Sequence, residues 1–150
     1  MPIQFTIDHK ARHVEAKFDG LLVLKDLEDF ADAVVGAGAL PYRKLIDGRT
    51  AHGTYTDADV MALGARLSAY ATMGKRGALA LIPMSEKYVE LADRLLNLGK
   101  DGRPAKAFLS IDEARKWLAA QPEASRTKLR RPRALNFRQR CVGAVRPCGH

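Results

Sequence analysis

Cysteine is absent from residues 1–121, because Cys141 and Cys148 both lie near the carboxyl end. That part of the chain therefore carries neither a disulfide nor a thiolate metal site, which suits a reducing compartment. The chain also lacks any apolar run approaching the ~20 residues that a membrane span needs. Its alternating start, MPIQFTID, is unlike the apolar centre of a signal peptide. These absences predict a soluble cytoplasmic protein with no transmembrane segment.

Net charge is also nearly absent from the first part of the chain. Residues 1–121 hold 17 basic and 16 acidic side chains, whereas residues 122–150 hold 8 basic side chains and 1 acidic one. The overall charge of +8 is thus concentrated in the last segment, where apolar periodicity stops and Arg, Pro and Gly accumulate. We therefore expect residues 1–121 to form one domain and residues 122–150 to be a basic, disordered tail.

Hydrophobic patterning in the first part predicts the element order ββαβαβαβα. Alternation at residues 3–7 and 14–18 is typical of a hairpin, and apolar spacing from Lys25 to the stop at Gly36 is typical of a helix. This order predicts an α/β fold: a mixed sheet of about five strands with about four helices, in which the later strands run parallel.

The later elements follow from the same patterns. We expect a short strand at residues 42–47, a loop at 48–55 and a second helix capped by Thr56 or Asp57. The unbroken apolar run GALALIP at residues 77–83 predicts a central strand buried on both faces. Ser85 is predicted to cap the third helix. A strand at residues 105–111 then leads to a fourth helix that Asp112 caps and that buries Ala114, Trp117 and Leu118.

Four segments of this pattern resemble a known family. They are the opening hairpin, the strand YRKLID at 42–47, the strand at 78–83 and the ending AFLSIDEARKWL at 107–118. Together they resemble the small STAS-like proteins related to bacterial anti-sigma factor antagonists, in the branch called SpoIIAA-like or STAS/SEC14-like. The resemblance covers residues 1–121. It implies a non-enzymatic regulatory module that binds a protein partner or a small apolar ligand.

Better-understood antagonists of this kind carry a phosphorylated serine at the start of the helix after the third strand. Here the corresponding stretch, DGRTAHGTYTD at residues 47–57, contains no serine and offers Thr54 and Thr56 near the helix start. The resemblance therefore implies these two threonines as the candidate phosphorylation sites.

The same stretch is the best candidate for a binding surface. It follows the carboxyl end of a strand, where open α/β sheets usually bind ligands. The alternative reading is a solvated turn shaped by Gly48 and Gly53. The candidate partner- or ligand-binding residues are Asp47, Arg49, Thr50, His52, Thr54 and Thr56.

Catalysis and cofactor binding find little support in the sequence. His52 and Asp47 suggest a base with its orienting carboxylate, but no serine or cysteine nucleophile is identifiable beside them, so a hydrolase ranks third. His9 and His13 lie four residues apart, but in a turn and at a strand start rather than on a helix, so they do not share one face as a helical metal pair does. The glycine-rich segments match neither a phosphate loop nor a dinucleotide fingerprint. The sequence thus predicts no metal and no cofactor.

The basic tail supplies the main alternative function. Its cations are interleaved with Leu129, Leu135 and Phe137, a pattern that would neutralise phosphates and stack one base. Nucleic acid or another acidic partner would then bind only through residues 122–150.

Overall fold

The strands and helices follow the predicted order closely. The computed structural model describes residues 2–98 and 103–122. A single turn of 3-10 helix, Glu86–Tyr88, precedes the third helix. The elements are β1 (Ile3–Asp8), β2 (His13–Leu21), α1 (Leu24–Gly36), β3 (Arg43–His52), α2 (Asp57–Ala71), β4 (Leu79–Ile82), α3 (Val89–Leu98), β5 (Ala105–Ala107) and α4 (Ile111–Ala120).

The five strands form one mixed sheet in the order β1-β2-β3-β4-β5. β1 and β2 are the antiparallel hairpin, and every later pairing is parallel. This confirms the predicted fold class. The central strand of the five is β3. The apolar run at 77–83 predicts β4 in that place. That run is apolar because β4 still has a neighbouring strand on each side and packs against helices on both faces.

Alternate residues of the inner strands face two different helical layers. On one face, Val14, Ala16 and Phe18 of β2 pack against Phe30 and Val34 of α1 in the first core cluster. The rings of Phe18 and Phe30 meet edge to face at 5.5 Å between centroids. α2 and α3 cover the rest of this face, because their side chains line the same interior space as those of α1.

The opposite face of the sheet is covered by α4. Leu45, Ala80 and Ile82 pack there against Ala114 and Leu118 in a second cluster. The predicted core residue Trp117 is only half-buried and lies against the ring of Phe108 at 5.4 Å. The N-cap of this helix is Ser110 rather than Asp112, so the helix begins two residues earlier than predicted.

β3 is the main departure from the predicted elements, because it continues through His52 instead of ending at Asp47. Its second half pairs with the end of β2, after a register shift that inserts an extra residue into β3 between Asp47 and Thr50. Gly48 suggested a turn in the sequence, but it is buried where an added Cβ would lie 3.0 Å from the Ile82 carbonyl oxygen. This glycine therefore permits a close approach between strands.

The last described turn is tied back to the sheet. Arg43 donates a hydrogen bond from Nη2 to the carbonyl oxygen of Gln121 at 2.7 Å, and the Gln121 side chain donates to Trp117 at 3.2 Å. These contacts hold the end of α4 against the start of β3. In residues 2–98 and 103–122, no helix has the length and apolar character to cross a bilayer.

We predict that a chain ending at Gln121 keeps the stability of the full chain to within about 1 kcal/mol, because the sequence pattern gives the tail no apolar face to bury. Urea unfolding of both lengths measures this. A loss above about 3 kcal/mol on truncation would show that residues 122–150 pack on the domain, against the predicted boundary.

Candidate functional site

The six candidate residues predicted from the sequence lie along the second half of β3 and in the connection to α2. Asp47, Arg49, Thr50 and His52 belong to β3, Thr54 lies in the connection, and Thr56 is the N-cap of α2. Strand geometry spreads them out instead of gathering them in one loop. Among the six, the structure joins Asp47 to Arg49 by direct side-chain bonds.

Asp47 and Arg49 form a bidentate ion pair across the bulge in β3. Arg49 donates from Nε to one carboxylate oxygen at 2.9 Å and from Nη2 to the other at 2.7 Å, and its backbone N–H donates to the first oxygen at 3.1 Å. The hydrogen bonds from Arg49 lower the pKa of Asp47, and the same pairing raises the pKa of Arg49. The two charges largely neutralise each other, which leaves neither as an obvious ligand group.

Thr50 and Thr56 also have structural partners. Thr50 donates from its hydroxyl to the Phe18 carbonyl oxygen at 3.1 Å. Thr56 accepts from the Asp59 backbone N–H at 3.2 Å, while the Asp59 carboxylate accepts from the Thr56 N–H at 2.9 Å. This capping box, with Asp57 beside it, already supplies negative charge to the start of α2. Phosphorylation of Thr54 or Thr56 stays a prediction.

The structure does not support His52 and Asp47 as a catalytic pair. The two residues are five positions apart on one strand, which separates their backbones by roughly 15 Å at ~3.3 Å per residue. A base and its orienting carboxylate must lie within hydrogen-bond reach. The distance between His52 and Asp47 is therefore too large for the base and orienting carboxylate that the hydrolase hypothesis requires.

An apolar cavity of about 400 Å³ opens at the carboxyl ends of β3 and β4. The sequence pattern does not predict this cavity. We call it the carboxyl-end cavity. His52 and Thr54 lie in its wall, but most of the wall is aliphatic. Its apolar lining includes Leu22, Leu24, Val60, Leu63, Leu91 and Ala92.

A second cavity of about 250 Å³ lies between the sheet and the helices α1, α2 and α3. We call it the deep cavity. It reaches the amino end of β3 at Lys44, and both cavities share the wall residues Leu22, Leu27, Tyr55, Leu63 and Leu81. The two therefore adjoin within one apolar interior.

Three cations line the deep cavity: Lys44, Arg76 and Arg103. Lys44 donates from Nζ to the carbonyl oxygens of Leu40 at 2.7 Å and Tyr42 at 2.8 Å. Burial lowers the pKa of Lys44 to about 7, with further lowering by the charges of Arg103 and Arg76. The sequence contains one indication that Lys44 is buried. Side chains alternate along a strand, so Lys44 shares a face of β3 with the core-facing Ile46.

The remaining sequence hypotheses lie elsewhere. The sequence predicts nucleic-acid binding only through the tail, and this stays a prediction because residues 123–150 lie outside the described residues. Within residues 2–98 and 103–122, no three His, Cys, Asp or Glu side chains converge in a way that could hold a metal ion.

The architecture and the two cavities together define an α/β domain with an apolar interior that opens at the carboxyl ends of its parallel strands. Among solved structures, the chain is similar to an uncharacterized protein of the DUF3478 family with a SpoIIAA-like fold from Shewanella loihica PV-4. The TM-score is 0.53 at 23% sequence identity, covering 77% of this chain and 93% of that one. No protein-family model and no curated protein matches. The chain has a SpoIIAA-like fold, which confirms the predicted resemblance at the level of fold.

Proposed function

We propose that this protein is a non-catalytic module that binds a small apolar ligand in the carboxyl-end cavity. The observation that carries the proposal is the cavity itself, with about 400 Å³ of space and a largely aliphatic wall. Small-molecule sites are typically apolar clefts of roughly 300–1,000 Å³. Open α/β sheets bind their ligands at the carboxyl ends of the strands, where this cavity opens.

The polar groups in the cavity wall fit binding better than catalysis. Asp59, the acidic residue of that wall, is occupied by the cap of α2. Tyr55 donates from its hydroxyl to the Leu22 carbonyl oxygen at 3.1 Å, and burial raises its pKa. Both groups stabilise the walls, and a few fixed polar groups in an apolar wall serve to orient a ligand.

The neutral dye Nile Red provides a direct test. We expect one dye molecule to bind per chain, and Ala92→Phe to weaken that binding at least tenfold, because Ala92 is buried in the cavity wall. The matched control is Ala69→Phe, which adds the same ring on the exposed face of α2. Fluorescence titration gives the affinities, and circular dichroism checks the folds. Equal affinity for both folded variants would contradict the proposal.

A second candidate function, binding of a protein partner, is favoured by exposed apolar side chains near the carboxyl-end cavity. Leu21 is 61% exposed, Val23 51% and Met84 41%, and Met84 is part of the cavity wall. Affinity purification with mass spectrometry of both proteins and bound lipids separates the two candidates. One folded protein recovered stoichiometrically, and lost from Leu21→Asp, would favour the partner. A bound small molecule retained by Leu21→Asp would favour the ligand.

A further inference from the structure

Lys44 places a primary amine in the wall of the apolar deep cavity. Its side chain is only 6% exposed, and aromatic and aliphatic side chains such as Phe18, Leu27 and Phe30 line the same space. The groups that accept from its Nζ are two backbone carbonyls, which carry no net charge. The amine is therefore held by dipoles within an apolar wall.

The backbone fixes the position of this amine. Lys44 belongs to the central strand β3 and pairs with Val14 of β2 on one side and Leu79 of β4 on the other. Its Nζ donates to the carbonyl oxygens of Leu40 at 2.7 Å and Tyr42 at 2.8 Å. A neutral amine has two N–H groups and one lone pair, so these two oxygens engage both N–H groups. The lone pair of the neutral form is then left for a reactant in the cavity.

Burial also makes the neutral form abundant. It lowers the pKa of Lys44 from 10.5 to about 7, and the charges of Arg103 and Arg76 contribute to the lowering. A large share of Lys44 is therefore an amine at pH 7, whereas an exposed lysine is almost entirely an ammonium ion. Desolvated lysines of this kind are the ones that attack carbonyl compounds and form Schiff bases.

We propose that Lys44 captures an apolar aldehyde in the deep cavity as a reversible imine. The Nζ lone pair attacks the carbonyl carbon and forms a C–N bond, and one N–H proton moves to the oxygen to give a carbinolamine. The hydroxyl group then leaves with the second N–H proton as water, and the C=N bond forms. The step requires neither oxidant nor reductant. This inference goes beyond the proposed function, because it adds a covalent bond in a second cavity.

Both carbonyl groups that accept from Lys44 keep a donor in the product. The Leu40 carbonyl oxygen also accepts from the Gly77 N–H at 3.1 Å. An imine nitrogen that takes up a proton from water carries one N–H, which suffices for the Tyr42 carbonyl. Because a buried acceptor without a partner is costly, these hydrogen bonds allow the imine to form without that cost.

Hexanal with sodium cyanoborohydride tests the capture in the unmodified protein at pH 7. The reductant converts the imine to a stable secondary amine that carries a hexyl group. Peptide mapping by mass spectrometry locates this group and separates Lys44 from the terminal amine, whose ordinary pKa of about 8 also makes it reactive. We expect the initial rate at Lys44 to exceed that at the exposed Lys17 at least about tenfold. A rate at Lys44 no higher than at Lys17 would overturn the proposal.

Two further reagents test whether the cavity is the place of capture. An excess of 1-hexanol, which has the same chain without the carbonyl group, should slow the reaction at Lys44 and leave that at Lys17 unchanged. Glycolaldehyde, which has no apolar chain, should lose the preference for Lys44. An unchanged rate at Lys44 in excess 1-hexanol would overturn capture in the cavity.

The variants Lys44→Met and Lys17→Met form a matched pair. Lys17→Met removes an exposed lysine of β2 and should incorporate the hexyl group at Lys44 at the unmodified rate. Lys44→Met should lose the fast incorporation at lysine. Circular dichroism checks that both fold, and peptide mapping of the unmodified protein decides the matter if Lys44→Met does not. Fast incorporation at another lysine of folded Lys44→Met would contradict the assignment to Lys44.

The measurements with Nile Red and with hexanal can fail separately. Nile Red binding that Ala92→Phe weakens, without preferential labelling of Lys44, would overturn the imine and leave the proposed apolar site standing. Preferential labelling of Lys44, together with Nile Red binding that ignores Ala92→Phe, would overturn the proposed function and support the imine.

Discussion

Replacing Gly77 by alanine is expected to lower the free energy of unfolding by more than about 3 kcal/mol, or to prevent folding altogether. A Cβ at this position would lie 2.1 Å from the Tyr42 carbonyl oxygen and 2.5 Å from that of Pro41. Both neighbours are backbone atoms, so no side-chain rotation relieves the overlap. Urea unfolding with circular dichroism measures the loss.

Gly36→Ala is the matched control for this prediction. Gly36 ends α1, and nothing lies within 4 Å of its added Cβ. Alanine there should leave stability unchanged or raise it by up to about 1 kcal/mol. A loss at Gly77 no larger than the change at Gly36 would contradict the close packing that we infer.

The contact at Gly77 also shapes the deep cavity. The Gly77 N–H donates to the Leu40 carbonyl oxygen at 3.1 Å, the same oxygen that accepts from Lys44. The approach of this backbone to residues 40–42 therefore sets Arg76 and Lys44 on the same cavity. Packing around one glycine thus helps to bring two cations together.

Replacing Lys44 by methionine is expected to raise the free energy of unfolding by about 1–3 kcal/mol near pH 7 in the absence of ligand. Methionine has a similar length and fits an apolar wall without a charge to desolvate. The Leu40 carbonyl keeps a partner in the Gly77 N–H. Urea unfolding of the ligand-free proteins checks this, with Lys17→Met as the exposed control.

The pKa of Lys44 determines how this stability difference changes with pH. Lys44 has a pKa of about 7 in the folded chain against an ordinary value of 10.5, and its lowering comes from burial and then from Arg103 and Arg76. Between those two values the unfolded chain binds the proton more strongly, so this group makes the folded chain more stable as pH rises, by up to about 1.4 kcal/mol per pH unit. The cost is fully present below pH 7.

The advantage of Lys44→Met should therefore be largest near pH 7 and shrink by about pH 9.5, where the folded wild type has already released the proton. Urea unfolding of both proteins at pH 7 and pH 9.5 gives the difference in their free energies of unfolding at each pH. The other lysines and tyrosines titrate in both proteins, so their contribution cancels in this difference. An advantage that is the same at both pH values would contradict the lowered pKa of Lys44.

The sequence alone determined the order of elements and most of their positions. The hairpin, α1 and the cap of α2 at Thr56 depend on alternation, helical spacing and a capping box, and these patterns operate between residues close together in the chain. The same patterns predicted the mixed α/β sheet and a candidate site at the carboxyl end of β3. They did not predict which side chains line it.

Only the tertiary structure decided the extent of β3 and the nature of the interior. β3 continues to His52 because the end of β2 lies beside it, and Gly77 is required because residues 41 and 42 approach it. Lys44, Arg76 and Arg103 come from three segments whose meeting no local pattern encodes. The physical reason is that burial and charge repulsion depend on neighbours in space, whereas hydrophobic periodicity records only neighbours in sequence.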